Sequence, residues 1–510
     1  MNAGKLPNIQ KLISEGVIIR DGISSFPSMT GYGFYPFITG EDAVYSGVLG
    51  LRWIDRKALS GNFKNYVGRT SVQMNNDLRA EPLTLYERFP NEYSVSINTF
   101  LNRGVAKNHI LSWTYTTAKY QDVWWLVKFL ARIPLVGGAI APDWHRAERL
   151  STDLAIAELA NKPKIQWVTL ASPDGYHHIA GTDDYYENLL TVIDENIGRY
   201  RAASQKAGQE ENRIYLLVPD HGMVDVRGHL DLREVLAKAG LNGFRGEATL
   251  LWTSKFKEKL SDFDAFDAFV VINGNTMNYL YFRKPGIKGE NGFRKRLSFG
   301  EITNYAVPGR EAVNLIELLV EREGVELVAA LGEEDNVEIY GKEGKGIIRS
   351  NGIGYSYISE GRDPLRYRGD EEAEALMDGE FHSPDEWLSA THDLYFPYAV
   401  VRLHRLLSNP DCGDIVTTAA EGYDFAPNYE LFVGDYLGGH GGLRADQLRV
   451  TYILKGAGVK RGVEIVTGRS EDVGATLLRL LGVKTDYPIK GRVLRDALEN
   501  EGGAEDENTQ

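Results

Sequence analysis

The sequence predicts an α/β fold: a mostly parallel sheet with helices on both faces, plus a smaller inserted α+β region. Three observations predict it. Apolar strand-like runs alternate with segments of helical period, as in a sheet covered by helices. Residues 214–218, Ile-Tyr-Leu-Leu-Val, are almost wholly apolar, which suits a strand covered on both faces. Between about 246 and 380 the pattern shifts to short strands among charged, Gly-rich loops.

Taken in order, residues 7–16 read as a helix, with Ile9, Leu12 and Ile13 on one face and Gly16 beyond its end. A strand follows at 17–19. Residues 164–170 form a second strand that runs into Ser-Pro-Asp-Gly at 172–175. Tyr186, Leu189, Leu190, Ile193 and Ile197 mark a helical stripe, and 214–218 is the next strand. Residues 268–272, 278–282 and 337–340 are the short strands of the insert. Residues 450–454 are again a strand, and Val473, Leu477, Leu480 and Leu481 mark a helix closed by Gly482. The expected organisation is a core over 1–245 with a helical insertion at about 112–142, an inserted region over 246–380, the second part of the core over 381–497, and a disordered acidic tail over 498–510.

Composition narrows the function. With 43% hydrophobic and 25% charged residues in 510, the chain is globular. Its 57 basic and 71 acidic residues leave a net charge of −14, which disfavours a nucleic-acid duplex as partner. A single cysteine, Cys412, excludes an internal disulfide framework and a Cys-rich zinc site. The most apolar stretch, 123–142, carries Lys128, Arg132 and Pro134. It reads as a buried or interfacial helical insertion rather than a membrane span. No basic segment followed by an apolar run opens the chain, so the expected compartment is the cytoplasm.

Three short patterns stand at the ends of expected strands: Asp174-Gly-Tyr-His-His178-Ile-Ala-Gly181, Asp220-His221-Gly222, and Gly438-Gly-His440-Gly-Gly442. Ligands of open α/β sheets collect beyond the strands' carboxyl ends. Carboxylates and imidazoles there suit Zn²⁺, Mn²⁺ or similar ions. Each pattern alone has a plainer reading, an Asp-His capping pair or a turn histidine; their joint placement points to metal. A fourth feature is residues 24–33, SSFPSMTGYG. It reads either as a capped strand-to-helix turn or as a hydroxyl nucleophile at a helix N-terminus, where phosphate is favoured. Gly31 and Gly33 leave room for substrate near the backbone. A threonine hydroxyl needs a base or a metal to become a nucleophile.

On these residues the chain resembles the alkaline phosphatase superfamily, and within it the type I phosphodiesterase/nucleotide pyrophosphatase family. The resemblance runs through LPNIQKLISEGV (6–17), FPSMT (26–30), Thr39-Gly40, SPDGYHHIAG (172–181), VPDHGM (218–223), GGHGG (438–442) and the closing ILKGAGVKRG and DVGATLLRLLGV. It implies an alkaline-phosphatase-like fold and a phosphoric ester hydrolase, acting on a small phosphate ester, diester rather than monoester. It implies Thr30 as nucleophile and two divalent metal ions, zinc first, with manganese or magnesium as alternatives. Asp174, His178 and His440 would hold one ion; Asp220, His221 and Thr30 would hold the other. The family spacing Asp-x-x-x-His-x-x-Gly selects His178 over His177. Sulfatase chemistry is disfavoured, because Cys412 lies in Asp-Cys-Gly-Asp.

Three departures qualify the resemblance. Family members open with an apolar strand ending in Asp-Gly, whose Asp shares a metal with the equivalent of Asp220. Only five residues precede Leu6-Pro7-Asn8 here, so the expectation is a chain without its true start, or one impaired. Gly31 replaces the aromatic that stacks a base, which weakens the nucleotide assignment. Leu51 replaces a phosphate-binding Asn, and Arg52 beside it is either a bidentate phosphate grip or a surface arginine. The rival readings are a non-catalytic relative that binds metal or phosphate only, and a phosphotransferase or phosphomonoesterase.

Overall fold

The computed structural model describes residues 4–57, 63–110, 143–244, 263–427, 435–485 and 487–499. The expected helical insertion at 112–142 and the tail beyond 499 lie outside these residues. Along the chain come α1 (Pro7–Ser14), β1 (Val17–Ile23), α2 (Tyr35–Thr39), β2 (Ser94–Ile97), β3 (Lys107–His109), α3 (Trp144–Glu158), β4 (Ile165–Val168), α4 (Ser172–Ala180), α5 (Asp184–Lys206) and β5 (Tyr215–Leu217). Then follow β6 (Gly243–Phe244), β7 (Ala268–Asn273), β8 (Met277–Phe282), β9 (Val325–Leu331), β10 (Val337–Gly341), β11 (Gly344–Ser350) and β12 (Tyr355–Gly361). The chain closes with α6 (Ala399–Leu407), β13 (Ile415–Ala419), β14 (Arg449–Lys455), β15 (Val463–Arg469) and α7 (Ser470–Leu480).

The architecture is α/β. One sheet has the order β15-β1-β14-β5, with β1 parallel to β15 and antiparallel to β14. A second, β3-β2-β4, is wholly parallel. Helix α1 begins with Pro7, whose missing N–H suits a first turn. It buries Leu12, and Asp194 on α5 accepts from the Asn8 and Ile9 amides. The third sheet is antiparallel over most of its length, in the order β6-β7-β8-β13-β9-β10-β11-β12. It holds more strands than any other sheet among the described residues. Strand β13, from the segment expected to return to the core, sits in its middle between β8 and β9.

Two expectations change. Residues 214–218 are only half-buried, because among the described residues β5 pairs on one side alone, with β14. Likewise β4 pairs only with β2 among the described residues. The open edges of β4 and β5 line one cavity of about 180 Å³ together with Leu12, Ala155 and Ile197. The tail is also shorter than 498–510: Leu498 is buried and bridges Val459, and the Glu499 N–H donates to the Gly458 carbonyl.

Behind α2 lies a buried ion cluster. Asp42 accepts from Arg402 at 2.6 Å and Arg405 at 2.7 Å, and Arg402 also donates to Glu471 at 2.9 Å. These bonds tie the end of α2 to α6 and α7. No helix among the described residues is long and apolar enough to cross a membrane.

Candidate metal centre and nucleophile

Strand β4 leads into α4, which carries Asp174 in its first turn and His178 in its last. Four residues apart on a helix, the two share a face, and His178 Nε2 lies 3.5 Å from Asp174 Oδ1. His177 is turned away, its Nε2 3.1 Å from Thr182 Oγ1 and 3.3 Å from Asp225 Oδ1. Strand β5 leads to Asp220 and His221. The loop carrying His440 is anchored where Gly438–Gly439 pair with Val224–Asp225. Gly441 has φ 108°, and a Cβ there would lie 2.3 Å from the Asn273 carbonyl oxygen, so only glycine fits. Ser28 clamps this loop to the Thr30 segment. Its hydroxyl donates to the Gly442 carbonyl at 3.0 Å and accepts from the Gly441 N–H at 2.9 Å. Thr30 precedes Gly31, which has φ 80° and opens a short 3₁₀ turn, Tyr32–Phe34, running into α2. A Cβ on Gly33 would lie 3.0 Å from the Asp220 carbonyl oxygen, so this glycine lets the segment approach Asp220 closely.

The donors converge on Asp174 Oδ1. His178 Nε2 lies 3.5 Å from it, His440 Nε2 3.6 Å and His221 Nε2 4.0 Å. His221 Nε2 is also 3.6 Å from Asp220 Oδ2 and 3.0 Å from Thr30 Oγ1. The His221 and His440 rings stack with centroids 3.8 Å apart. Each imidazole has its Nδ1 against a backbone carbonyl: Gly438 for His178, Gly222 for His221 and Ser28 for His440. A carbonyl only accepts, so Nδ1 carries the proton in all three and Nε2 presents its lone pair. Among the described residues Asp174 Oδ1 and Asp220 Oδ2 are buried without a hydrogen-bond partner. Three Nε2 lone pairs, one of them beside the Thr30 hydroxyl, and two orphaned carboxylate oxygens form a donor set that fits a divalent cation. Tetrahedral bonds of about 2.1 Å give donor–donor edges of about 3.4 Å, close to the shorter separations here. Asp174, His221 and His440 form a group whose donor atoms all lie within 4.8 Å of one another. His221 thus lies within reach of both Asp220 and the pair Asp174 and His440.

Burial opposes ionisation of Asp174, but His178, His440 and His221 outweigh it and hold the carboxyl well below the usual range. Burial pushes Asp220 up. Burial, with His221 alongside, pulls His440 well below the ordinary imidazole value. For His178, burial works downward, yet the charge and hydrogen bond of Asp174 raise it.

Arg52 is not a surface arginine. It is buried, its Nη1 donates to the Ile272 carbonyl at 3.1 Å, and its N–H donates to Asn273 Oδ1 at 3.0 Å. Sequence reasoning missed Ser28 as the residue fixing the His440 ring, although Ser28 lies inside the FPSMT motif. It also missed Asn275, in the β7–β8 loop, and Asp424. Both are buried, and no local pattern marks them as part of a site.

A family model for type I phosphodiesterase / nucleotide pyrophosphatase matches residues 1–286. The chain belongs to this family. As a type I phosphodiesterase/nucleotide pyrophosphatase it is a phosphoric ester hydrolase of a metal-dependent family. Thr30, Asp174, His178, Asp220 and His221 fall within the matched residues, and His440 lies beyond them. Among solved structures, murine ectonucleotide pyrophosphatase/phosphodiesterase 5 is similar at 12% identity and a TM-score of 0.53, over 97% of this chain and 96% of that one. An inactive variant of the murine protein in complex with AMP is similar at 11% identity and a TM-score of 0.52, over 97% of this chain and 94% of that one. The human protein is similar at 11% identity and a TM-score of 0.51, over 95% and 92%. At these identities the likeness is one of fold. No curated protein matches the chain.

Proposed function

We propose that this family member hydrolyses small phosphoric diesters with Thr30 as nucleophile and two divalent cations. The observation that carries the reading is the convergence of three Nε2 lone pairs on Asp174 and Asp220, with the Thr30 hydroxyl 3.0 Å from one of them. Asp174, His178 and His440 would hold one cation; Asp220, His221 and the Thr30 hydroxyl would hold the other. Such cations, when bound, neutralise phosphoryl charge and lower the pKa of a coordinated hydroxyl. Without a cation Thr30 Oγ1 donates to His221 Nε2, because Nδ1 of that ring already carries the proton. This places the oxygen beside the nitrogen with which it would share a cation. Attack would form a Thr30 O–P bond and break the bond from phosphorus to the leaving alcohol; water would then cleave the Thr30 ester. Gly31 supplies no aromatic to stack a base, and Met74 and Phe100 pack against it, so nucleotide diesters are one substrate class among several. The AMP complex of the murine protein makes a nucleoside monophosphate product the first to test.

The mutual 4.8 Å grouping of Asp174, His221 and His440 favours a second reading, one cation at a single shared centre. Elemental analysis separates the two. The test of function is hydrolysis of bis-p-nitrophenyl phosphate by metal-loaded protein, metal-stripped protein and Thr30→Ala. The expected result is turnover only by the loaded wild type, with most metal binding retained in Thr30→Ala. Turnover by Thr30→Ala would remove Thr30 as nucleophile. Inactivity of fully loaded wild type on diesters and monoesters alike would favour a non-catalytic relative.

A further inference from the structure

The His178 ring is held from outside the centre it faces. Its Nδ1–H donates to the Gly438 carbonyl at 2.9 Å, and that carbonyl also accepts from Asn275 Nδ2 at 3.2 Å. The same Nδ2 donates to Asp424 Oδ2 at 3.1 Å. One amide group therefore places one proton on the carbonyl that orients the imidazole and the other on a buried carboxylate. Asp424 is fully buried and is itself fixed: its Oδ1 lies 2.7 Å from His229 Nδ1 and accepts from the Ala426 N–H at 3.1 Å. Asn275 has φ 63° and bridges His440 in parallel. The neighbouring Thr276 N–H donates to the His440 carbonyl at 3.0 Å. The amide packs directly on the glycine loop, since a Cβ on Gly439 would lie 2.7 Å from Asn275 Nδ2.

We infer that Asn275 and Asp424 are positioning residues that fix the His178 imidazole, acting through the Gly438 carbonyl. The chemistry requires this division of labour. A carboxylate and a carbonyl both only accept, so neither can hold the other; the Asn275 NH₂ satisfies both. The carboxylate also sets which way the amide faces. Without its charge the amide can turn its oxygen toward the Gly438 carbonyl, where two acceptors repel. The carbonyl would then be free to move, and with it the Nδ1 proton that keeps His178 Nε2 available to a cation. Outer hydrogen bonds of this kind tune metal sites by roughly 10–100-fold in affinity. The inference rests on the reading of Asp174 and His178 as metal ligands.

Asn275→Gly keeps the positive φ without steric cost and removes only the amide. Wild type, Asn275→Gly, Asp424→Asn and His178→Ala would be stripped of metal and titrated calorimetrically with Zn²⁺. Imidazole ¹⁵N spectra and melting curves would be recorded on the metal-free proteins. In Asn275→Gly, zinc affinity is expected to fall about 10–100-fold. The His178 signal should leave the pure Nδ1–H tautomer, while the His221 signal stays unchanged; the melting temperature should fall modestly, because two buried acceptors lose a donor. Asp424→Asn should move zinc affinity and the His178 tautomer the same way by less. Wild-type zinc affinity or an unaltered His178 tautomer in Asn275→Gly overturns the inference, as does a loss accompanied by equal shifts at every histidine. If His178→Ala leaves zinc affinity untouched, the reading of the site itself fails; if His178→Ala weakens it and Asn275→Gly does not, only the positioning role fails.

Discussion

Raising the pH from 5 to 9 should destabilise the protein through one carboxyl, Glu41. This side chain is 1% exposed and follows α2 directly. Its Oε1 accepts from the Asp42 N–H at 2.8 Å. Its charged neighbours are Asp42 and Glu471, with Arg405 opposing them. Arg402 completes the cluster, which then holds three carboxyls against two guanidiniums. Charge balance leaves one carboxyl to be neutral. Asp42, beside both arginines, is held down to about 2 against its own burial. Glu41 takes the proton: burial, aided by Asp42 and Glu471, pushes it up from 4.5 to about 8. The sign follows. Between those values the folded state holds a proton that the unfolded chain has released, so stability falls as pH rises. The contribution is fully present below pH 4.5 and lost once pH passes about 8. At 1.36 kcal/mol per pH unit the full swing is on the order of 5 kcal/mol. Other carboxyls also titrate here, among them Glu148, which burial pushes up to about 7. The clean quantity is therefore the difference between wild type and Glu41→Gln, from urea unfolding at several pH values. Glu41→Gln should match wild type near pH 4 and exceed it by several kcal/mol at pH 9. A difference that stays flat across this range would refute the protonated Glu41 and the charge count behind it.

Three further outcomes are expected. His440→Ala should lose bound metal and activity together, whereas His177→Ala should keep both, because its ring is engaged by Thr182 and Asp225; elemental analysis with a diesterase assay checks the pair. Arg52→Ala should lower stability by about 1.5–3 kcal/mol through loss of a buried charged hydrogen bond, with an unchanged KM for bis-p-nitrophenyl phosphate; a raised KM at constant stability would return Arg52 to the substrate. Gly441→Ala should cut metal content and activity sharply, since its Cβ would lie 2.3 Å from the Asn273 carbonyl oxygen and displace the His440 loop, measured by zinc stoichiometry and melting temperature.

What could be read beforehand was what short spacings encode. The i to i+4 interval of Asp174 and His178 already separates His178 from His177, because adjacent residues on α4 point about 100° apart. The apolar runs gave β1, β7, β8 and β14 to within a residue or a few at each end. Long-range pairing was not legible. Residues 214–218 read as doubly covered, yet composition cannot say whether a neighbouring strand is present, and β5 has one on a single side. Arg52 was ambiguous for the same reason: its fate depends on Ile272 and Asn273, more than 200 positions away. Asn275 and Asp424 gain meaning only when the β7–β8 loop, the Gly438 carbonyl and α4 come together.

The two open strand edges carry a dynamic consequence. An amide without a ladder partner is not protected by global stability and exchanges with solvent through small local openings. The amides of β4 and β5 that face the cavity should therefore take up deuterium well before those of β1 and β14, each of which is paired along its ladder. Those two strands are also the ones that deliver Asp174 and Asp220 to the candidate metal centre. The carboxylates on which the centre is built thus hang from strands with an open edge. Cation binding across them would act as the missing crosslink, and adding Zn²⁺ should slow exchange in β4 and β5 selectively while leaving β1 and β14 as they were.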